Sequence, residues 1–479
     1  MSAEQSQRTR VWRSAYVLAP GMLLILGGSA AYAYSRLVRD FGFNKWWLLG
    51  YATAGALLVA SRALFHWKAT REERTSARSY WKTVIFLDIS VFVLPVGMVL
   101  ALDQCVGVYL RTVPASPLLV YPAHYQVNYR TSEFSFTAAT NSIGIRNREV
   151  DLRSPDRFRI LAIGDSFTYG WGVEAEYAWP RDLENRLSKK SRKFEVLNLG
   201  CPGTSVDAYA TIAETAIPLL HPQLVVVAVL QGDDLKQLDL GPTTDRLLKI
   251  NGVTGDSPNK PVAAQVVPHL FELRTRVALR RPRVVAPEEI QHEWQEQVRW
   301  MREHWNAEEN RQFDALDSDI REMLLSGNLN PWDTYFAIKQ PEYMAFTLHL
   351  DDPGVRAAIA EMATQLGRIK AAAAHYGAHV LVVSVPHACY TSPEGLATRR
   401  KLGYHLDDSA LLDDAPDEAI RRACRSAGVD FSSFTRQFRS EAARRSLYFK
   451  YDGHFNDIGQ ALFAEHVADL IPVEPDPWR

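Results

Sequence analysis

The chain has 479 residues, enough for two or three domains, and its 54 Lys and Arg nearly balance its 55 Asp and Glu. A net charge of −1 leaves no global positive field to attract nucleic acid. Its four cysteines include no CxxC pair, which argues against a zinc site or a disulfide framework. The apolar residues are concentrated in roughly the first hundred positions.

Three apolar stretches at the N-terminus have the length of transmembrane helices. Residues 14–35 carry no charge, and residues 46–67 and 83–102 carry one each; about 20 apolar residues span a bilayer core. The second and third stretches also fit buried core helices. Because Lys and Arg are concentrated in the N-terminal tail and in the second link, these two segments are expected in the cytoplasm. The sequence predicts a multi-pass domain of the cytoplasmic (inner) membrane over residues 1–110, with the rest of the chain on the outer, periplasmic face.

The remainder of the chain alternates strands and helices. Residues 111–157, with several prolines followed by alternating Tyr, Val and Phe, predict a juxtamembrane linker and edge strands. Residues 158–479 predict a three-layer α/β/α sandwich around a parallel sheet, interrupted at about 240–350 by a mostly helical insertion. The predicted strands are 158–164, 194–199, 224–230 and 379–385, and the predicted helices are 178–188, 207–220, 288–305, 355–376, 417–426 and 458–470.

The first predicted strand ends in Gly164-Asp165-Ser166. This places the Ser166 hydroxyl at the carboxyl edge of the sheet, where open α/β sheets place their sites. An alternative is that Ser166 caps the next helix or lies in an ordinary Asx turn. The G-x-S-x-G elbow is absent because Thr168 occupies its fifth position, which argues against the α/β-hydrolase fold.

Asp452 and His454 stand two residues apart near the C-terminus. In an extended segment such side chains point the same way, so both can face Ser166. Asp452 would then orient the imidazole while His454 takes the serine proton. The alternative is a loop that caps the last helix through Asn456 or Asp457. Together with Gly-Asp-Ser, the Asp-x-His pair favours acyl-transfer chemistry.

Four sequence blocks in this order resemble those of the SGNH/GDSL hydrolase superfamily. They are Gly164-Asp165-Ser166-Phe167, Asn198-Leu-Gly-Cys-Pro-Gly203, Gly232-Asp233-Asp234 and Asp452-Gly453-His454. The segment Asn141-Ser-Ile-Gly-Ile-Arg146 is similar to one that precedes the catalytic block in tethered members, and no chemistry is assigned to it.

The resemblance implies a fold and a set of roles. The fold is an SGNH-like, flavodoxin-like sandwich. Ser166 is the nucleophile, His454 the base and Asp452 its partner, while Gly203 and Asp233 stand at the oxyanion hole. No metal and no cofactor are implied.

Asp233 departs from the family, which has Asn at this position. An ionised carboxylate only accepts hydrogen bonds, and losing one oxyanion donor costs about 10²–10³ in rate. Three explanations remain open. Asp233 stays protonated in a dry site; Gln231 or the backbone N–H groups of Ser166 and Gly203 take over; or the site is degenerate.

The sequence thus predicts a membrane-tethered extracytoplasmic serine esterase or O-acyltransferase. Its substrate would be an ester, foremost an acetyl ester, of an envelope glycan, exopolysaccharide or lipid. Relatives with the Asp-x-His variant include polysaccharide O-acetyltransferases. Envelope-polysaccharide biosynthesis proteins are expected partners, on the grounds of the predicted location. The alternative is a catalytically degenerate binding or assembly module for cell-envelope polysaccharide. Asp233 supports that alternative, and the intact Ser-His-Asp set argues against it.

Overall fold

The computed structural model describes only part of the chain, and its contacts divide the protein into two compact units. The described residues are 94–112, 120–152, 157–189, 194–243, 269–270 and 283–472. The first unit comprises residues 1–114 and 257–274, and the second comprises residues 115–256 and 275–479. The predicted boundary at residue 110 stays a prediction.

Helix α1 (Leu94–Thr112) is the helix described in the first unit, where His269 Nδ1 lies 2.9 Å from Asp103 Oδ2. Of the helices in the described ranges, none is both long and apolar enough to cross a membrane. The predicted spans at 14–35 and 46–67 lie outside those ranges, as does the third span up to residue 93.

The other described strands and α-helices lie in the second unit. Its strands are β1 (Tyr125–Arg130), β2 (Ser135–Ala139), β3 (Phe158–Gly164), β4 (Phe194–Gly200), β5 (Leu224–Leu230), β6 (Arg283–Val285), β7 (His379–Val385) and β8 (Asp430–Ser433). Its helices are α2 (Ser166–Tyr169), α3 (Trp179–Ser188), α4 (Val206–Leu220), α5 (Asp233–Leu240), α6 (Pro287–His304), α7 (Ala307–Asp314), α8 (Ser318–Leu325), α9 (Trp332–Lys339), α10 (Pro353–His375), α11 (Ala388–Thr391), α12 (Pro393–Lys401), α13 (Ala415–Ala427), α14 (Thr435–Ala442) and α15 (Asp457–Leu470).

A five-stranded parallel sheet of order β4-β3-β5-β7-β8 forms the centre of this unit. Alternate residues of β3 enter opposite cores: Leu161 and Ile163 pack with α4, α10 and α13, whereas Ile160 and Ala162 pack with α3, α14 and α15. Strands buried on both faces need apolar side chains at almost every position, which the sequence supplies. The predicted parallel α/β fold is confirmed.

Residues 111–157, where one or two edge strands were predicted, contain β1 and β2, but these belong to a second sheet of order β2-β1-β6. The edge strands of the central sheet are β4 and β8. Aromatic packing explains the separate sheet, since Tyr129 stacks on Phe136 at 4.8 Å and contacts Trp171 and Trp294. The partner strand β6 lies far along the sequence, so local pattern does not reveal the pairing.

The helices α6 to α9 lie between β6 and α10, within the predicted insertion, and share a core with residues of α11 and α12. Trp294 and Trp305 are buried, whereas Trp300, on α6, is 49 % exposed. One face of α6 therefore points to solvent.

Arg146 fixes the backbone that follows the Gly-Asp-Ser turn. Its buried guanidinium donates hydrogen bonds to the carbonyl oxygens of Tyr169 (2.8 Å), Gly170 (2.7 Å) and Val173 (2.7 Å), and to that of Thr137 on β2 (3.1 Å). A planar guanidinium can serve several acceptors at once, and an ammonium group cannot reproduce this geometry. The segment to which the sequence assigned no chemistry therefore joins the small sheet to the start of the site.

Replacing Arg146 with Met is expected to lower the free energy of unfolding by about 3–5 kcal/mol, because several buried carbonyl groups lose their donor. Chemical denaturation followed by circular dichroism measures the change. Arg130→Met is the matched control: Arg130 is exposed and lies 3.8 Å from Glu288, so its loss is expected to cost less than about 1 kcal/mol. Equal losses in the two variants would contradict the role of Arg146.

Candidate active site

The strand–turn–helix at the end of β3 exposes Ser166. Asp165 caps α2 by accepting a hydrogen bond from the Phe167 N–H at 2.9 Å, and Ser166 is the first residue of that helix. Gly164 is required by close packing, since a Cβ there would lie 2.8 Å from the Ala228 carbonyl oxygen. The short turn thus brings the hydroxyl to the carboxyl edge of the sheet.

Ser166, His454 and Asp452 form a continuous hydrogen-bonded line. His454 Nε2 lies 2.7 Å from Ser166 Oγ, and His454 Nδ1 lies 2.6 Å from Asp452 Oδ1. Asn456 caps α15 by accepting from two backbone N–H groups, so the expected helix cap is present but involves neither Asp452 nor His454. The arrangement can pass a proton from the serine to the imidazole.

The Asp452 carboxylate and the His454 imidazole stabilise each other's charged forms. Burial disfavours the charged imidazole, but the Asp452 carboxylate outweighs it and raises the pKa of His454 above its usual value. Burial acts to raise the pKa of Asp452, yet His454 and the Trp171 indole together hold it below the usual value. An ionised Asp452 and a basic His454 are the states that a serine nucleophile needs.

A cavity of about 460 Å³ opens over these residues, a size in the range of small-molecule sites. The carboxyl edge of the sheet, the loop of residues 452–454 and the start of α9 form its walls. Aromatic and apolar side chains line much of it: Phe167, Trp171, Leu230, Trp332, Phe336 and Met344. Gly203 and Asp233, the two residues expected at the oxyanion hole, line the same cavity.

Both carboxylate oxygens of Asp233 accept hydrogen bonds from side chains. Tyr343 Oη donates to Oδ1 at 2.7 Å, and Gln237 Nε2 donates to Oδ2 at 2.5 Å. The other amide atom of Gln237, Oε1, is buried and has no hydrogen-bond partner among the described residues. Two donors on one carboxyl group favour its ionised, accepting form.

Asp165, Asp233 and Asp234 carry oxygens within 4.8 Å of one another, and among the described residues they are the group that can hold a cation. Burial and the neighbouring Asp233 raise the pKa of Asp165 to about 7. Burial, Asp165 and Asp233 together raise the pKa of Asp234 well above its usual value. Protons on Asp165 and Asp234 can therefore neutralise the cluster without a metal ion.

Two family models match parts of this chain. The family model of the GDSL-like lipases and acylhydrolases matches residues 162–357. The model of the SGNH hydrolase-like domain of the acetyltransferase AlgX matches residues 346–477. Residues 162–477 carry an SGNH/GDSL hydrolase domain. The SGNH domain is an enzyme domain of a class that includes ester hydrolases and acetyltransferases.

Among solved structures, the chain is similar to the crystal structure of TesA (11 % sequence identity, TM-score 0.31, covering 66 % of this chain and 99 % of that one). It is also similar to the acetyl xylan esterase AlAXEase (10 % sequence identity, TM-score 0.31, covering 66 % of this chain and 100 % of that one). A third similar structure is that of a member of the lipolytic G-D-S-L family from Veillonella parvula (11 % sequence identity, TM-score 0.28, covering 65 % of this chain and 97 % of that one). A search of curated protein sequences found no match.

The Asp452 loop is held by residues that sequence reasoning missed. The Glu133 carboxylate accepts from the backbone N–H groups of Tyr451 (3.0 Å) and Asp452 (2.8 Å), and Arg399 Nη2 donates to the Asp452 carbonyl at 2.9 Å. Trp171 Nε1 donates to Asp452 Oδ2 at 3.1 Å. None of these residues lies in a recognisable block, so no local signal marked them.

His387 also lines the cavity of the SGNH domain. Its Nδ1 accepts from the Cys389 backbone N–H at 3.3 Å and lies 3.0 Å from Cys389 Sγ. Burial lowers the pKa of His387 well below its usual value, so it stays neutral. With Nδ1 as the acceptor, the proton of the neutral ring resides on Nε2.

Proposed function

We propose that this protein is a serine esterase or O-acyltransferase in which Ser166 is the nucleophile, His454 the general base and Asp452 its orienting partner. The observation that carries the proposal is the hydrogen-bonded line from Ser166 Oγ through His454 to Asp452. It lies at the edge of a cavity large enough for a small-molecule ester. The family comparisons supply the reaction class.

In this mechanism Ser166 Oγ attacks the ester carbonyl while its proton moves to His454 Nε2. The tetrahedral intermediate collapses when His454 returns that proton to the departing alkoxide, leaving an acyl group on Ser166. His454 then removes a proton from water or from an acceptor hydroxyl, whose oxygen attacks the acyl-enzyme. As the acyl–serine bond breaks, His454 returns that proton to Ser166 Oγ. Water gives an esterase, and an acceptor hydroxyl gives an acyltransferase.

The developing oxyanion needs donors that do not carry negative charge. In this proposal the backbone N–H groups of Ser166 and Gly203 are those donors. Asp233 stands where the family has Asn, but its contacts with Tyr343 and Gln237 favour the anion. Asp233 therefore lowers the rate of the natural enzyme rather than raising it.

The location belongs to the same proposal. Three apolar stretches and the distribution of Lys and Arg support a tether in the inner membrane, with the catalytic domain on the periplasmic face. The substrate would then be an acyl ester, foremost an acetyl ester, of an envelope glycan, exopolysaccharide or lipid. Alkaline phosphatase fused after residue 110 and after residue 479 tests the topology, because it is active only outside the cytoplasm; inactive fusions would contradict it.

Labelling with a fluorophosphonate probe tests the nucleophile. The native chain is expected to be labelled at Ser166, as located by peptide mass spectrometry, and heat-denatured protein is expected to remain unlabelled. Adducts on other serines, or equal labelling after denaturation, would contradict an activated Ser166. If folded protein is not labelled while Asp233→Asn is, the natural chain is a binding module with a detuned site.

Replacing Asp233 with Asn is expected to raise kcat for p-nitrophenyl acetate by up to about 10², because a neutral amide donor replaces an anion beside the oxyanion. The new amide can give one N–H to Gln237 Oε1, which has no hydrogen-bond partner in the described part of the native chain, and direct the other into the cavity. Steady-state kinetics at constant pH measure the change. The isosteric control Asp239→Asn lies at the exposed end of α5 and is expected to change kcat less than twofold. A fall in kcat for Asp233→Asn would show that Asp233 already donates a proton.

A further inference from the structure

The mouth of the catalytic cavity presents an unusually open aromatic surface. Trp332, at the start of α9, lines the cavity and is 42 % exposed. Its ring meets Tyr335 edge-on, with centroids 5.3 Å apart and planes at 72°. A large exposed aromatic side chain beside a reactive serine is informative, because tryptophan is usually well buried.

Polar side chains stand on both sides of this indole in the sequence and line the same cavity. Asn330 Oδ1 accepts from the backbone N–H of Trp332 at 3.1 Å, an arrangement that leaves the Asn330 Nδ2 group for other partners. The Asp333 side chain is 41 % exposed, and its Oδ2 accepts from Arg399 Nη1 at 2.5 Å. A flat apolar surface edged by hydrogen-bonding groups matches a ring that has an apolar face and hydroxyl groups at its rim.

The charges of the cavity select against an anionic ring. Four carboxyl groups line it, whereas Arg399 is the lining residue with a permanent positive charge. Its guanidinium is engaged by Asp333 and by the Asp452 carbonyl. A carboxylate on the ligand would approach other carboxylates with no unengaged cation among the described lining residues to compensate.

We propose that Trp332, Asn330 and Asp333 form a subsite for a neutral pyranose ring, which carries the ester to be cleaved or the hydroxyl to be acylated. The inference rests on the proposed function and narrows its substrate from glycan or lipid to a neutral glycan. A lipid chain in the same place would cover Asn330 and Asp333 without satisfying their hydrogen bonds, which is costly.

Inhibition of ester turnover by sugars tests this subsite. Hydrolysis of p-nitrophenyl acetate by the full chain in detergent is measured with one competitor at a time. The competitors are xylotetraose, cellotetraose, mannotetraose, tetramannuronate and decanoate. At least one neutral tetrasaccharide is expected to inhibit competitively, at least about tenfold more strongly than tetramannuronate or decanoate. Trp332→Ala is expected to raise the inhibition constant of that sugar about tenfold, and Trp332→Phe less than about threefold.

Trp300→Ala is the matched control, because Trp300 is similarly exposed but lies against His304 on α6, away from the lining residues. It is expected to leave inhibition unchanged. Inhibition by none of the three neutral sugars, stronger inhibition by tetramannuronate or decanoate, or equal effects of Trp332→Ala and Trp300→Ala would each overturn the subsite. Turnover that persists in Ser166→Ala would instead overturn the proposed function, so the two failures are distinguishable.

Discussion

Replacing Ser166 with Ala is expected to lower kcat for p-nitrophenyl acetate by about 10⁶, the loss seen when a serine hydrolase loses its nucleophile. The reason is that no other hydroxyl is hydrogen-bonded to His454 Nε2 in the described site. Initial rates measured with enough enzyme to detect a residual activity of about 10³ over the uncatalysed reaction give the ratio.

The control for this change is Ser409→Ala, which removes an exposed hydroxyl far along the chain and is expected to alter kcat less than twofold. Circular dichroism and thermal unfolding of both variants verify that the fold is intact. A loss smaller than about tenfold in a folded Ser166→Ala protein would mean that a different group performs the attack.

Replacing Asp452 with Asn is expected to lower kcat by about 10⁴. The structure gives the reason. Trp171 Nε1 donates to Oδ2 of Asp452, so the Asn variant keeps its oxygen towards Trp171 and turns its NH₂ group towards His454 Nδ1. That nitrogen must then accept, the proton of the neutral ring moves to Nε2, and His454 can no longer take a proton from Ser166.

The pH dependence of kcat/KM is also expected to change in Asp452→Asn. A general base works only above its pKa, and the pKa of His454 lies above its usual value, because the Asp452 carboxylate outweighs the effect of burial. The acid limb of kcat/KM in the native enzyme is therefore expected above pH 6.5, and without the carboxylate it shifts to lower pH. Profiles of kcat/KM between pH 5 and 9 measure the acid limb in the native enzyme and in the variant. Asp457→Asn, an exposed change in the same segment, is expected to leave the profile in place; an unshifted profile in Asp452→Asn would show that another group sets the pKa.

The central sheet was predictable because its strands are buried on both faces. The strands 158–164, 224–230 and 379–385 have the predicted bounds, since a run of apolar, mostly β-branched residues flanked by turns has few other solutions. Strand β8 (Asp430–Ser433) was missed because it is short and mostly polar, and only its pairing with β7 identifies it. The second sheet was missed for a related reason, as β1 and β6 pair across about 150 residues.

The residues of the candidate site were likewise predictable only in part. Ser166, Asp452 and His454 could be named from sequence because their chemistry needs these residue types next to a strand end and a helix start. Whether they meet is a matter of tertiary structure, and the structure brings them together. Glu133 and Trp332 could not be named, since a single glutamate or tryptophan carries no local signal of what it will contact.

The hairpin between β1 and β2 has a consequence for how this enzyme can be divided. Through Glu133 it supplies the acceptor for two backbone N–H groups of the loop that carries Asp452, and burial raises the pKa of that glutamate above its usual value. The sandwich that begins at β3 is thus not a portable catalytic module. A transplanted or shortened version would need to begin ahead of the hairpin, and homologues that lack the hairpin must anchor this loop by other means.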